Sequence, residues 1–163
     1  MSFQSRSAIF SFLICGCSGQ VASTPVTSTA GQPIVVPSDW VEVDSNCKFT
    51  FRASKDVVRK EVRGIDSCVG KHESESLTFG YDYGQYSSPL TEYKGNLNYS
   101  ESTVSIDGIS AKLIACDAEA GRMVGVYVAN DGRGAKLQAS VFCATKGTCE
   151  DTARTLLSTI KWK

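Results

Sequence analysis

The stretch Ser102-Thr-Val-Ser-Ile106-Asp107-Gly108-Ile109-Ser-Ala-Lys-Leu-Ile-Ala115 decides the fold, because it holds two alternating strands and the turn that joins them. Asp107-Gly108 suits a two-residue type I′ turn, in which both central residues need a positive φ. Such a turn pairs Ile106 with Ile109, and the apolar side chains of both strands then lie on one face. The stretch therefore predicts a β-hairpin with one buried face.

The same alternation of apolar and polar residues marks four other segments, at 47–53, 77–83, 123–129 and 136–143. Turn-forming residues at 130–134 separate the last two segments and predict a tight connection between them. Together with the hairpin, these segments predict an antiparallel sheet with one apolar face.

A helix is predicted over 150–160, near the end of the chain. Its apolar residues recur at helical spacing and form one stripe, which consists of Ala153, Leu156, Leu157 and Ile160. We expect this stripe to pack on the apolar face of the sheet, with Trp162 beneath the sheet edge. The fold class predicted from the sequence is thus α+β, an antiparallel β-sheet packed by a C-terminal helix.

Composition limits the class of protein further. The 163 residues are 42% hydrophobic and 21% charged, which is typical of a globular chain and argues against wholesale disorder. Lys and Arg number 17, as do Asp and Glu, so the chain lacks the basic excess that nucleic-acid binding requires. We therefore expect no nucleic-acid partner.

The N-terminus indicates export. Arg6 precedes an apolar run over 8–15, which is too short for a membrane-spanning helix of about 20 residues but fits a signal peptide. Ile14-Cys15-Gly16-Cys17 resembles the bacterial lipobox, in which a small residue precedes a cysteine that carries diacylglycerol. Residues 1–17 are thus interpreted as a lipoprotein-type signal peptide, and the alternative is a buried N-terminal strand with two incidental cysteines.

Residues 18–37 are uncharged and rich in Ser, Thr, Ala, Gly and Pro, a composition that indicates a flexible tether. The remainder, 38–163, is predicted to be a single domain. Acyl chains on Cys17 would anchor the protein stably to a membrane in the cell envelope, on the extracytoplasmic or periplasmic side. By analogy with lipoproteins, Ser18 after the cysteine favours the outer membrane.

Five of the seven cysteines follow the signal, and an exported protein uses cysteine mainly in disulfides. Cys143 ends a predicted strand and Cys149 begins the helix, so a bond between them closes a short loop. Cys47 and Cys68 are the second candidate pair. The odd count then leaves Cys116 reduced, as a small buried residue.

The sequence gives no sign of a catalytic motif, a metal site or a cofactor. His72 is the only histidine, and we expect it to lie in a solvated loop. Gly64 to Lys71 is similar to a phosphate-binding loop, but it has five residues between its glycines where the motif has four.

One region has an unusual composition. Five of the six tyrosines lie within 81–100, among Ser, Gly and Asn, a mixture that adaptable binding surfaces use. Tyr86, Tyr93 and Tyr99 are the candidate binding residues. The alternative is that Tyr81 and Tyr83 lie at the edge of the core and that the other three cover a long loop.

Three short motifs suggest a family. Gly64-Ile-Asp-Ser-Cys68-Val-Gly70, Tyr81-Asp-Tyr-Gly84 and Ile106-Asp-Gly108 resemble segments of an uncharacterised family of exported bacterial lipoproteins with a PsbP/Mog1-like domain. The early Phe49-Thr-Phe51 strand and the apolar end of the chain, from Leu156 to Trp162, are similar to that architecture. The resemblance covers about residues 40–163 and implies a non-enzymatic binding or assembly role, whereas the cysteines depart from the pattern.

The sequence therefore predicts a membrane-anchored binding or assembly-accessory module whose partner is an unknown protein or envelope ligand. The first alternative is an envelope enzyme that uses Asp66, Asp82 or a free Cys116. A purely structural envelope lipoprotein is the third possibility.

Overall fold

The computed structural model describes residues 34–144 and 149–163, which form two antiparallel β-sheets and one helix. The small sheet has the strand order β1-β2-β10 and the large sheet the order β3-β4-β5-β9-β8-β7-β6. The strands are β1 (Val41–Asp44), β2 (Phe49–Ala53), β3 (Val58–Lys60), β4 (Cys68–Glu73), β5 (Leu77–Gly84), β6 (Ser100–Ile106), β7 (Ile109–Ala118), β8 (Gly121–Val128), β9 (Lys136–Cys143) and β10 (Lys161–Trp162). A 3-10 turn, Thr91–Tyr93, lies between β5 and β6, and helix α1 spans Glu150–Ser158. The predicted signal peptide and the tether up to residue 33 lie outside the described residues.

The predicted α+β class is wrong. Strands account for 48% of the described chain, in two antiparallel sheets, and α1 is a single helix of nine residues, so the domain is mostly β. Four strands were missed because they lack the signals of a half-buried strand. β1, β3 and β10 are too short to show alternation, and β4 carries glycine and charged residues at its centre.

The hairpin that the sequence predicts is confirmed. Asp107 and Gly108 have φ values of 47° and 83°, which a type I′ turn needs and which glycine adopts without strain. Ile106 pairs with Ile109, and Val104 with Ala111. This register places Ile106 and Ala111 in the main core.

The main core lies between the two sheets and α1. Phe49 and Phe51 of β2 are fully buried, and the Phe51 ring meets the Phe79 ring of β5 edge-on, with centroids 4.7 Å apart. Leu156 and Leu157 of α1 pack into the same core. Two facing apolar sheets thus bury the aromatic residues of the alternating strands.

Both candidate disulfides are confirmed. Cys47–Cys68 joins the turn between β1 and β2 to the start of β4, so it links the small sheet to the large one. Cys143–Cys149 joins the end of β9 to the start of α1, and Cys116 is free and buried. Disulfides persist in oxidising compartments, and the two bonds are consistent with an extracytoplasmic location.

In the described part of the chain, no helix has the length and apolar character to cross a membrane.

His72 is not in a solvated loop, as the sequence suggested, but in β4 with only 2% of its surface exposed. Its ring meets the Phe51 ring edge-on, with centroids 5.1 Å apart, and lies 5.9 Å from the Tyr81 ring. Nε2 is buried without a hydrogen-bond partner among the described residues. This burial, assisted by the charge of Arg59, lowers the pKa of His72 below its usual 6.5.

The burial of His72 predicts a pH-dependent stability. Its pKa is lower in the folded protein than in the unfolded chain, so the unfolded chain binds the proton more tightly and the free energy of unfolding falls as the pH drops below about 6.5. Urea denaturation at pH 7.5 and pH 5.5 measures this loss. A His72→Phe variant keeps the aromatic packing and should be nearly insensitive to pH over that interval. If His72→Phe lost as much free energy of unfolding as the wild type between pH 7.5 and pH 5.5, His72 would not be the cause of the loss.

Candidate functional site

The strand order forces a long connection across one face of the large sheet. β5 and β6 follow each other along the chain, yet β9, β8 and β7 lie between them, so residues 85–99 cross three strands. We call this segment the crossing loop. It covers the outer face of the sheet, opposite the main core, where Leu90 is fully buried against Ile114, Cys116 and Met123. These residues form a second, smaller core.

Several contacts fix the crossing loop to the sheet. The buried hydroxyl of Ser87 donates a hydrogen bond to the Asp82 carbonyl at 3.0 Å, and the Asp117 N–H donates to the Leu97 carbonyl at 2.8 Å. Leu90 sits above Gly125, where an added Cβ would lie 3.0 Å from its Cδ1. The loop is therefore held at both ends and near its middle.

The structure separates the three candidate tyrosines. Tyr93 and Tyr99 are partly buried against the second core, while Tyr86 is 77% exposed. The Tyr99 hydroxyl donates to Glu101 at 2.5 Å, and this hydrogen bond raises the pKa of Tyr99 to about 12. The crossing loop thus uses two of its tyrosines to cover the sheet and presents the third to solvent.

A large apolar residue that sequence analysis missed lies at the same end of the sheet as Tyr86. Cys68 pairs with Tyr83, so Ile65, before β4, and Tyr86, after β5, both extend beyond this end of the β4–β5 ladder. Ile65 has a relative exposure of 104% and Val62 is 37% exposed. We call Val62, Ile65 and Tyr86 the apical surface.

The two loops of the apical surface approach each other closely. A Cβ added to Gly84 would lie 2.9 Å from the Ser67 Cβ, so the segments that carry Tyr86 and Ile65 touch at their bases. The Cys47–Cys68 disulfide fixes one of these segments next to the small sheet. A depression of about 410 Å³ adjoins this surface, and its lining includes Arg59 and Val62. Ile65 and Tyr86 thus extend into solvent from adjoining loops, which makes this end of the sheet the candidate binding surface.

An isolated apolar residue between turn-forming neighbours is the signal that could have identified Ile65. It lies in Gly64-Ile-Asp-Ser, and the neighbouring residues in the sequence do not predict a buried face for its side chain. Alternation and helical spacing both ignore such a residue, because they detect only residues that share a face.

The three residues of the enzyme alternative do not form one cluster, because Cys116 lies on a strand away from Asp82. Asp66 is exposed and Asp82 lies on β5, whereas Cys116 is on β7, with β9 and β8 between them. The Cys116 thiol is buried beneath the crossing loop, and this burial raises its pKa. A protonated, inaccessible thiol is a poor nucleophile.

Metal ligands are also not clustered in the described residues. No group of three or more His, Cys, Asp or Glu side chains there is placed to hold a metal ion. The carboxylate of Asp131 is engaged, since one oxygen accepts the Tyr83 hydroxyl at 2.6 Å and the other accepts the backbone N–H groups of Arg133 and Ala135.

No family model matches this chain, and no curated protein shows significant similarity to it. The resemblance to the PsbP/Mog1 architecture therefore stays a prediction.

The packing of Leu90 predicts that it seals Cys116. Leu90→Ala should lower the free energy of unfolding by about 3 kcal/mol, as for other fully buried leucines. It should also speed the reaction of Cys116 with a thiol reagent, because the cover above the thiol is reduced. Tyr86→Ala is the matched control, since an exposed side chain of the same loop should change stability by less than about 0.5 kcal/mol. Equal labelling rates in the wild type and Leu90→Ala would refute the sealing role.

Proposed function

We propose that this chain is an exported lipoprotein whose domain binds a protein partner through the apical surface. Acylation of Cys17 would anchor it to the cell envelope, with the outer membrane favoured. In this proposal the domain is a non-enzymatic binding or assembly-accessory module.

The observation that carries the binding proposal is the exposure of two large apolar side chains, Ile65 and Tyr86, at one end of the sheet. Burial of apolar side chains drives association, and aromatic residues are enriched where interfaces contribute most free energy. The loops that carry both side chains touch at their bases, and the Tyr86 loop is fixed by Ser87. A partner would therefore meet a surface whose ordering cost is low.

Support for export comes from the two disulfides together with the signal-like N-terminus. Each bond joins separate elements, and the remaining cysteine of the described chain is buried and reduced. Cysteines arranged in this way suit an oxidising compartment and leave no exposed thiol to form unwanted bonds.

The proposed lipid anchor predicts that Cys17 is acylated and that the neighbouring Cys15 is not. In cells fed an alkyne-tagged fatty acid, the wild-type protein and Cys15→Ser should both incorporate the label, whereas Cys17→Ser should not, because only Cys17 follows the small residue of the lipobox. The measurement is fluorescence of the purified protein after coupling of a dye. Label retained in Cys17→Ser would refute the proposed anchor.

The apical surface predicts selective loss of partners. After crosslinking in cells, proteins that copurify with the full-length chain are quantified for the wild type, an Ile65→Ser/Tyr86→Ser variant and Leu97→Ser. Leu97 is the matched control because it is 78% exposed on the crossing loop but lies near Asp117, at the opposite end of the sheet. We expect a defined set of proteins to fall at least tenfold with Ile65→Ser/Tyr86→Ser and to remain with Leu97→Ser.

Both variants replace exposed side chains, so urea denaturation should show stabilities within about 0.5 kcal/mol of the wild type. The same partners at the same levels in all three samples would refute binding through the apical surface.

A further inference from the structure

In the part of the chain that the structure describes, no strand pairs with the outer edge of β6. β6 pairs with β7 on one side and forms the end of the large sheet on the other. Its sequence, SESTVSI, has no proline, lysine or arginine, and its register with β7 is continuous over seven residues without a bulge. Natural proteins usually protect long edge strands with such residues, bulges or a covering element, because a bare edge pairs with other strands.

The tight turn identifies which backbone groups of β6 are free. In a two-residue hairpin the residues that flank the turn form a hydrogen-bonded pair, so Ile106 bonds to Ile109 and the bonded pairs then alternate along the ladder. The N–H and C=O groups of the intervening residues point away from β7. These residues are Glu101, Thr103 and Ser105, and none of their backbone groups is hydrogen-bonded elsewhere in the described chain.

Two depressions adjoin β6. A depression of about 280 Å³ on the outer face is lined by Glu101, Thr103 and Lys112, among others. A groove of about 450 Å³ lies between Ser105 and the end of α1, with Ile34 and Val36 in its wall.

We propose that a second copy of this chain occupies the edge, through antiparallel pairing of β6 with β6 about a two-fold axis at Thr103. This register makes Thr103 face Thr103 of the other copy and Glu101 face Ser105, so all the free backbone groups of both edges are paired. Glu101 is the sole charged residue of β6, and the two-fold axis keeps the two carboxylates apart. A two-fold interface uses the same patch on both copies, which a strand with this register satisfies.

The contact consists of one strand from each copy. The surface that it buries is small compared with the roughly 800 Å² per partner that stable complexes bury. We therefore expect a weak dimer that forms at high protein concentration. The proposal is independent of the apical surface, because that surface extends from β4 and β5, on the other side of the strand order.

A charge introduced at the two-fold axis tests both the dimer and its register. Sedimentation equilibrium of the wild-type protein, in detergent where it is acylated, should show the weight-average mass of the protein rising towards twice the monomer mass at about 0.5 mM. Thr103→Lys and Thr103→Glu should each weaken association at least tenfold, because like charges would then face each other across the axis. An equimolar mixture of the two variants should associate again, and Thr103→Val, which stays neutral and β-branched, should match the wild type.

Thr103 is exposed and its backbone groups lie on the free edge, so these substitutions should leave the monomer folded, as circular dichroism can verify. A wild-type protein that stays monomeric at about 0.5 mM would overturn the proposal, and the edge would then be free for a strand of another protein. Variants that associate as strongly as the wild type, or a mixture that fails to associate, would overturn it as well.

Discussion

The chain leaves the large sheet at β5, near its middle, and re-enters it at β6, on its far edge. This constraint requires residues 85–99 to cross the outer face, and it explains why the sheet has two cores although only one face meets the small sheet. The crossing loop must supply its own apolar contact, and this contact is Leu90, whose backbone φ is 60°. Arg122 then ties the end of the loop to α1, since its guanidinium donates to the Asn98 carbonyl at 3.2 Å and to Glu150 at 2.8 Å.

The two disulfides close loops of different lengths. Cys47–Cys68 spans 21 residues and Cys143–Cys149 spans 6, so loss of chain entropy gives the first bond about 3 kcal/mol and the second about 2 kcal/mol. The first bond also bears on the proposed binding, because it attaches the small sheet beside the loop that presents Ile65. The second fixes the start of α1, whose apolar side chains close the main core.

Sequence patterns could predict the parts of the fold in which local structure and burial agree. The hairpin at Asp107-Gly108, the exact bounds of β9 and the start of α1 follow from turn chemistry and periodicity. The class was misjudged because β1, β3 and β10 have only two to four residues, which is too few for a clear local pattern, and β10 pairs with β2, which is far away along the chain. His72 was misplaced for a related reason: its β4 neighbours Lys71 and Glu73 look solvated, and only the pairing with β5 places the ring between the aromatic residues.

The candidate site was harder to predict than the fold. Composition identified the tyrosine-rich region, but it could not distinguish a tyrosine that covers the sheet from one that faces solvent. That distinction depends on the path of the crossing loop, which follows from strand order and not from the residues themselves. Tyr93 and Tyr99 pack because the loop runs over Ile114 and Met123, whereas Tyr86 precedes the covered part of the path.

The positions of the two proposed surfaces limit what they could do together. The apical surface extends from β4 and β5, while the free edge is β6, on the other side of the sheet order. Antiparallel pairing of two β6 strands would place the apical end of one copy next to the opposite end of the other. The two apical surfaces would then point in opposite directions, so one partner molecule could not engage both unless it wrapped around the dimer. Self-association would therefore leave each apical surface accessible without adding the avidity that two binding sites facing one way would give.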